Sequence, residues 1–218
     1  VGTDIASRTD RPDLPYEFQV VNTDVANAFA VPGGFIYMNR GLLEASENMS
    51  EVAGVLAHEV AHVVARHSAE QMERARSAGL ALGVGSILLG EPGGAARAGI
   101  GIGANLYFAR YSRAQESVAD SLAVGYLVRS GWDPDGLVRF FETLQEMRER
   151  RPNALEALFT SHPLTEDRVE RVRRIIGRLP VDSLRGLRTS SEQYRTMKKA
   201  LERLPPPPEE YRVEGDRQ

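Results

Sequence analysis

The chain begins its regular patterning with short alternating runs. "YEFQVVN" (16–22) alternates apolar and polar positions and reads as a strand. "ANAFAVPGGFIYMNRGLL" follows as strand, Pro-Gly-Gly turn and strand, with Phe35 and Tyr37 on one face and Ile36 and Met38 on the other. These runs predict a short antiparallel sheet. At Ser50 the period lengthens: Val52, Val55, Leu56, Val63 and Val64 mark one face of a helix. Ser50 is the expected N-cap, Glu51 suits the positive helix end, and the helix is expected to run to about Arg76.

Beyond it the pattern is uneven. Residues 79–103 are apolar and glycine-heavy, broken by "GEPGG" (90–94), and read as a helical hairpin. Such a hairpin could be core, a lid, or a surface that touches a membrane. Ser112 with Gln115 has the look of a capping box, predicting a helix that Gly131 ends. Further helices are expected after Pro134, after Thr165 as N-cap, and over "SSEQYRTMKKALERL". "PPPPEEYRVEGDRQ" is a polar, Pro-rich tail or linker. The organisation expected is one domain over 1–180, a helical extension over 181–204 and the tail over 205–218.

Composition narrows the class. With 42% apolar and 26% charged residues in 218, a sizeable core can form. The net charge of −3 argues against a nucleic-acid partner, which would favour a basic surface. The absence of cysteine excludes disulfides and thiolate metal sites. The first residues lack the apolar h-region of a signal peptide, and no apolar run reaches 18 residues.

Three of the four histidines lie in "SEVAGVLAHEVAHVVARH" (50–67). His58 and His62 are four apart on a helix, so both imidazoles can reach one zinc ion. Glu59 stands about 100° round the helix, off the metal but able to take a proton from a metal-activated water. His67 lies about 140° beyond His62 and reads as an exposed or capping bystander. A catalytic zinc needs a third protein ligand and an open position. Glu116 and Asp120 are also four apart, on a face shared with Ala119, Ala123 and Leu127. A buried carboxylate pair needs a cation or donors. Glu116 is therefore the expected third ligand, with Asp120 hydrogen-bonded to the second nitrogen of a ligand histidine.

His58-Glu59-x-x-His62 followed by Glu116-x-x-x-Asp120 resembles the gluzincin metallopeptidases, and within them the family of HtpX, BepA, the CAAX prenyl endoprotease and Oma. "NAFAVPGGFIYMNRGLL" (27–43), "ESVADSLAVGYLVRSGWDP" (116–134) and "SHPLTEDRV" (161–169) resemble that family's other blocks in order. The resemblance covers roughly 20–178 and implies an α+β, mainly helical zincin-type metallopeptidase domain with its small sheet beside the His-Glu-x-x-His helix. It implies a zinc-dependent endopeptidase acting on extended or misfolded polypeptides, from the branch without transmembrane segments, in the bacterial periplasm or envelope. Peripheral contact with a membrane or with outer-membrane assembly proteins is the further partner expectation. The strand with Gly34, Phe35, Ile36, Tyr37 and Met38 would be the cleft edge that pairs with substrate, or an ordinary edge strand. His162 would either stabilise the oxyanion with help from Arg168 or fill the zinc's fourth position until its loop moves. Rival readings are a chaperone-like holding module on the same fold and a zinc amidase for a small substrate.

Overall fold

The computed structural model describes residues 1–77, 110–150, 152–163 and 166–209. Its helices are α1 (Gly2–Ala6), α2 (Arg40–Ala45), α3 (Met49–Val64), α4 (His67–Ser77), α5 (Arg113–Arg129), α6 (Asp135–Arg150), α7 (Pro152–Ser161), α8 (Glu166–Ile176) and α9 (Glu192–Arg203). Strands β1 (Glu17–Val21), β2 (Ala28–Val31) and β3 (Phe35–Asn39) form one small sheet. The fold is α+β and mainly helical. The glycine-heavy hairpin expected over 79–103 and the cap expected at Thr165 lie outside the described residues. No described helix is long and apolar enough to cross a membrane.

Helix α3 is the axis of the molecule, buried from Met49 through Val63. A helix buried on all sides is a core helix. It lies against β2 and β3 on one side and α5 and α6 on the others. Its N-cap is Asn48 and not Ser50: Asn48 Oδ1 accepts from Glu51 N–H at 3.2 Å, and Ser50 Oγ–H donates to the same oxygen at 2.7 Å. The Glu51 carboxylate turns back to accept from Glu47 N–H (2.8 Å) and Asn48 Nδ2 (2.6 Å), so its buried charge is met by donors at the helix entry. α6 comes so close to this end that a Cβ at Gly136 would lie 2.3 Å from the Ser50 carbonyl oxygen. Only glycine permits that approach.

The expected continuous helix to Arg76 is two helices. α3 stops at Ala65, Arg66 takes a φ of 62° in the left-handed region, and α4 sets off in a new direction from His67. α5 opens with the expected capping box between Ser112 and Gln115 and turns out at Gly131, whose φ of 74° suits glycine. The small side chains of Ala119 and Ala123 are fully buried on α5, so its backbone can lie close to α3.

The sheet order is β1-β3-β2. β2 and β3 form the expected antiparallel hairpin over Pro32, Gly33 and Gly34, with φ of 106° and 101° at the two glycines. β1 pairs parallel to β3, so the sheet is mixed rather than wholly antiparallel. The chain leaves β1, passes beyond the hairpin position, and returns so that β3 inserts between the other two. Ile36 and Met38 are buried on the inner face, and Phe35 and Tyr37 are half-buried on the outer one, as alternation predicts.

The residues after 180 are tied back to the body. Thr189 O accepts from Ser50 N–H, Arg188 lies 4.2 Å over the buried Trp132 ring, and Tyr194 Oη–H donates to Ser46 O at 2.8 Å. Lys198 Nζ meets the carbonyls of Glu44 (2.7 Å) and Ser46 (3.1 Å) at the C-terminal end of α2.

Candidate metal centre

Three elements bring four side chains to one point. α3 presents His58 and His62, α5 presents Glu116, and the turn between α7 and α8 presents His162. Among the described residues, these four can offer ligand atoms that all lie within 4.8 Å of one another. His58 Nε2 is 3.0 Å from His62 Nε2 and 3.4 Å from His162 Nδ1. Glu116 Oε1 is 3.1 Å from His162 Nδ1 and 3.3 Å from His62 Nε2, and Oε2 is 3.6 Å from His58 Nε2. Ligand bonds of about 2.0–2.1 Å in a tetrahedron put ligand atoms about 3.3–3.4 Å apart, and these separations bracket that value.

The donor chemistry fits a cation. His58 Nδ1 lies 3.1 Å from Asp120 Oδ1, close but outside hydrogen-bond geometry, and a proton on Nδ1 would leave the lone pair on Nε2. That lone pair, the second imidazole and an ionised carboxylate then face one another with nothing positive between them. Such a buried arrangement is costly unless a proton or a metal ion enters it. The electrostatics agree. Burial opposes charge on His58, yet the carboxylates of Asp120 and Glu116 prevail and push its imidazole up to about 9 in the metal-free chain. Burial and then the neighbouring charged His58 hold His62 well below its ordinary value. One position in the cluster demands positive charge and the next cannot bear a second.

Arg168 sits behind the carboxylates. It is 4% exposed, its Nε and Nη2 donate to the two oxygens of Asp120 at 2.9 and 2.8 Å, and its Nη1 lies against Glu116 Oε2. The remaining reach of Nη1 is to Pro163 O at 3.4 Å, and Phe141 lies under the guanidinium at 4.6 Å. Burial raises the Asp120 and Glu116 carboxyls, but Arg168 acting on Asp120, and His162 with Arg168 acting on Glu116, hold both below the usual carboxylate range. Arg168, expected to assist an oxyanion, is placed by the fold against the two carboxylates. Its Nε and Nη2 donate to Asp120 and its Nη1 lies against Glu116, so it orders the carboxylates while its side chain also lines the cleft beside His162.

Glu59 is 2% exposed, and its Oε2 has no hydrogen-bond partner among the described residues. Its Oε1 is 3.7 Å from His162 Nε2. Burial raises its carboxyl above the ordinary value, with His162 offsetting part of that. A raised carboxyl brings proton transfer nearer to neutral pH. Beside it lies a small, largely apolar cleft of about 30 Å³, where Phe140, Phe141, Leu158 and Phe159 meet Glu59, His162 and Arg168.

Two further placements differ from the sequence expectation. β3, expected as the cleft edge through Gly34, Phe35, Ile36, Tyr37 and Met38, is hydrogen-bonded on both sides. A strand paired on both flanks has no free main-chain edge, and among the described residues the edges of this sheet are β1 and β2. His67, expected as a bystander, is 5% exposed, and its Nδ1 lies 3.0 Å from His62 Nδ1. Tyr111 was not foreseen at all. Its ring lies 3.8 Å from that of His62 and 5.0 Å from that of His162, and its hydroxyl is 2.9 Å from Ser68 Oγ. A buried tyrosine just before a capping box carries no sequence signal that distinguishes it from ordinary core.

With this geometry in place, comparison with known proteins decides the family. The model of peptidase family M48 matches residues 1–176. The chain belongs to peptidase family M48. This M48 chain is 35% identical over 176 residues to the beta-barrel assembly-enhancing protease of Escherichia coli K12, covering 78% of this chain and 36% of that protein. It is 32% identical over 160 residues to the metalloprotease YcaL of the same organism, covering 73% and 61%. The mitochondrial metalloendopeptidase OMA1 of Schizosaccharomyces pombe is 29% identical over 160 residues, covering 73% and 46%. The M48 chain thus spans about a third of the length of the first of these relatives.

Proposed function

We propose that this chain is a zinc-dependent endopeptidase, with His58, His62 and Glu116 as ligands and Glu59 as general base. The observation that carries the reading is the buried Glu59 carboxylate, whose Oε2 has no hydrogen-bond partner among the described residues, beside three converging lone-pair donors. Zinc, when bound, lowers the pKa of a water and polarises the scissile carbonyl. The chain supplies the rest. Glu59 takes the proton from the attacking water and returns it to the leaving amine, and its burial suits it to both tasks. Asp120 fixes the His58 proton on Nδ1 so that Nε2 stays free, and Arg168 holds Asp120 in place. The small apolar cleft beside Glu59 limits the water that reaches the site.

The extended substrate pairs with the β2 edge. Asn39 N–H donates to Asn27 O across the hairpin, so the 27/39 pair is a hydrogen-bonded one. By alternation the polar groups of Ala28 and Ala30 point away from β3. The Ala30 carbonyl already accepts from Ser68 Oγ–H at 2.9 Å, so a substrate strand has to displace that contact.

His162 acts as a gate in this reading. Its Nδ1 stands among the other three donor atoms, a fourth protein ligand where a working site keeps an open position. In this reading the described arrangement is the closed form, and His162 swings aside to admit substrate. The same closure favours, as a second reading, a module that holds misfolded chains and rarely cuts. Polypeptides in a bacterial periplasm or envelope are the substrate class, consistent with relatives named for β-barrel assembly.

The test is incubation of wild type and Glu59→Gln with denatured casein, with and without chelator, alongside metal analysis of each sample. Wild type should carry one zinc and cut. Glu59→Gln should keep the zinc and lose roughly 10²–10⁴-fold in rate. Undiminished turnover in Glu59→Gln refutes the role of the base, and holding without cutting by a metal-loaded wild type selects the second reading.

A further inference from the structure

An imidazole that offers one nitrogen to a cation must settle its proton on the other. The structure gives the two helix-borne ligands different partners for that second nitrogen. His58 Nδ1 has the carboxylate of Asp120 at 3.1 Å. His62 Nδ1 has the Nδ1 of His67 at 3.0 Å. Two ring nitrogens at that distance share one proton, so one donates and the other accepts. His62 turns Nε2 toward His58 and Glu116, which puts its proton on Nδ1 and makes it the donor. His67 is then the acceptor, bare at Nδ1 and protonated at Nε2.

The backbone is bent to bring this about. On a continuous helix residue 67 would stand about 140° round from residue 62 and face elsewhere. Arg66 instead takes a φ of 62°, rare for a residue with a side chain, and the chain folds back over His62. The start of α4 is pinned there by Ser68 Oγ–H donating to Ala30 O at 2.9 Å. The ring of Tyr111, 3.8 Å from that of His62, packs on the ligand as well. Strained backbone that persists at a site is a reason to look for a task. The choice of a neutral acceptor also fits the local charge. Glu116 and Asp120 already flank one guanidinium, Arg168, and Glu59 is buried as well, so a carboxylate at position 67 would add a fourth buried negative group.

We propose that His67 is a positioning residue for the metal centre: it accepts the Nδ1–H of His62 and fixes the tautomer and ring plane of that ligand. This rests on the reading of His58, His62 and Glu116 as metal ligands. It predicts an effect on metal affinity that follows the acceptor at position 67 and not the volume there.

The test measures zinc affinity by chelator competition for wild type, His67→Leu and His67→Asn, with thermal unfolding of each in chelator. Leucine keeps bulk without an acceptor, and asparagine places its Oδ1 near where the histidine Nδ1 lies. His67→Leu should bind zinc roughly 10–100-fold more weakly, and His67→Asn should recover most of that loss. Wild-type affinity in His67→Leu overturns the proposal, and so does an equal loss in His67→Asn. Nitrogen NMR of the zinc-loaded wild type decides independently of how the variants fold. A His67 ring protonated at Nε2 and bare at Nδ1 is expected, and a proton on His67 Nδ1 overturns it. A wild type that takes up no zinc refutes the metal reading itself, a failure distinct from either of these.

Discussion

Replacing Arg168 by leucine tests the idea that the carboxylates behind the metal centre are held by one buried cation. Arg168 is 4% exposed, Asp120 0% and Glu116 1%. In the wild type two guanidinium nitrogens meet Asp120 at 2.9 and 2.8 Å and a third lies against Glu116. Leucine fills much of the volume over Phe141 but leaves two buried carboxylates facing it. Breaking an exposed ion pair costs about 0.2–1 kcal/mol, whereas removing one partner of a buried pair costs about 3–5 kcal/mol. The larger figure applies to the metal-free chain. For a chain of this size it lowers the unfolding midpoint by roughly 6–20 °C at about 2–4 °C per kcal/mol. A bound divalent ion neutralises Glu116 and leaves Asp120 with only the His58 Nδ1 contact, so the loss should be smaller in the loaded protein. Arg168→Lys should fall between the two, because it restores the charge without the two-pronged geometry. The sign with pH follows from the directions of the shifts. Arg168 keeps the folded Asp120 and Glu116 below their unfolded values, so this stability is present above the ordinary carboxylate range and is lost as pH falls through the lowered folded values. The wild type should therefore lose its advantage over the variant in acid. Urea unfolding with and without chelator, read by Trp132 fluorescence, measures all of this. A loss below about 1 kcal/mol in chelator, or the same loss with and without metal, shows that Arg168 is not the cation that holds the pair.

Two further outcomes address the metal position. X-ray absorption of the zinc-loaded wild type should find three imidazole nitrogens, and His162→Ala should show two. Two in the wild type would dismiss the gate. Apparent zinc affinity should climb with pH from 7 to about 9 and then level, because His58 of the metal-free chain is held at about 9 by Asp120 and Glu116 against the effect of burial, and binding must expel its proton. Calorimetry in two buffers of different ionisation enthalpy counts that proton, and a heat independent of buffer contradicts the assignment.

Much of this arrangement is legible because helical spacing is rigid. Residues four apart on a helix share a face, so His58 with His62 and Glu116 with Asp120 could each be placed as a pair before any tertiary contact was known. The Ser112–Gln115 box and the Pro32-Gly33-Gly34 turn were legible for the same reason: each is a local solution written in adjacent residues. The helix Pro152–Ser161 was not. It lies between a charged run and the Ser161-His162-Pro163 turn, and at ten residues offers little more than two turns of pattern.

The remaining misreadings share a cause, which is that the deciding partner is distant in sequence. Parallel pairing of β1 with β3 leaves no mark on either strand, because alternation reports which face is buried and not which neighbour is adjacent. Calling β3 an edge followed from the same blindness. Arg168 is expected from the sequence beside an oxyanion, and only the fold puts it against Asp120 and Glu116, 48 and 52 residues earlier. Ala65-Arg66-His67 holds no glycine or proline, so local propensity continues the helix through it. The break is imposed from outside, by Ser68 on Ala30 and by the imidazole of His62. Local rules thus failed at the point where the chain leaves the low-energy path to complete its metal centre, as they do where strain serves a site.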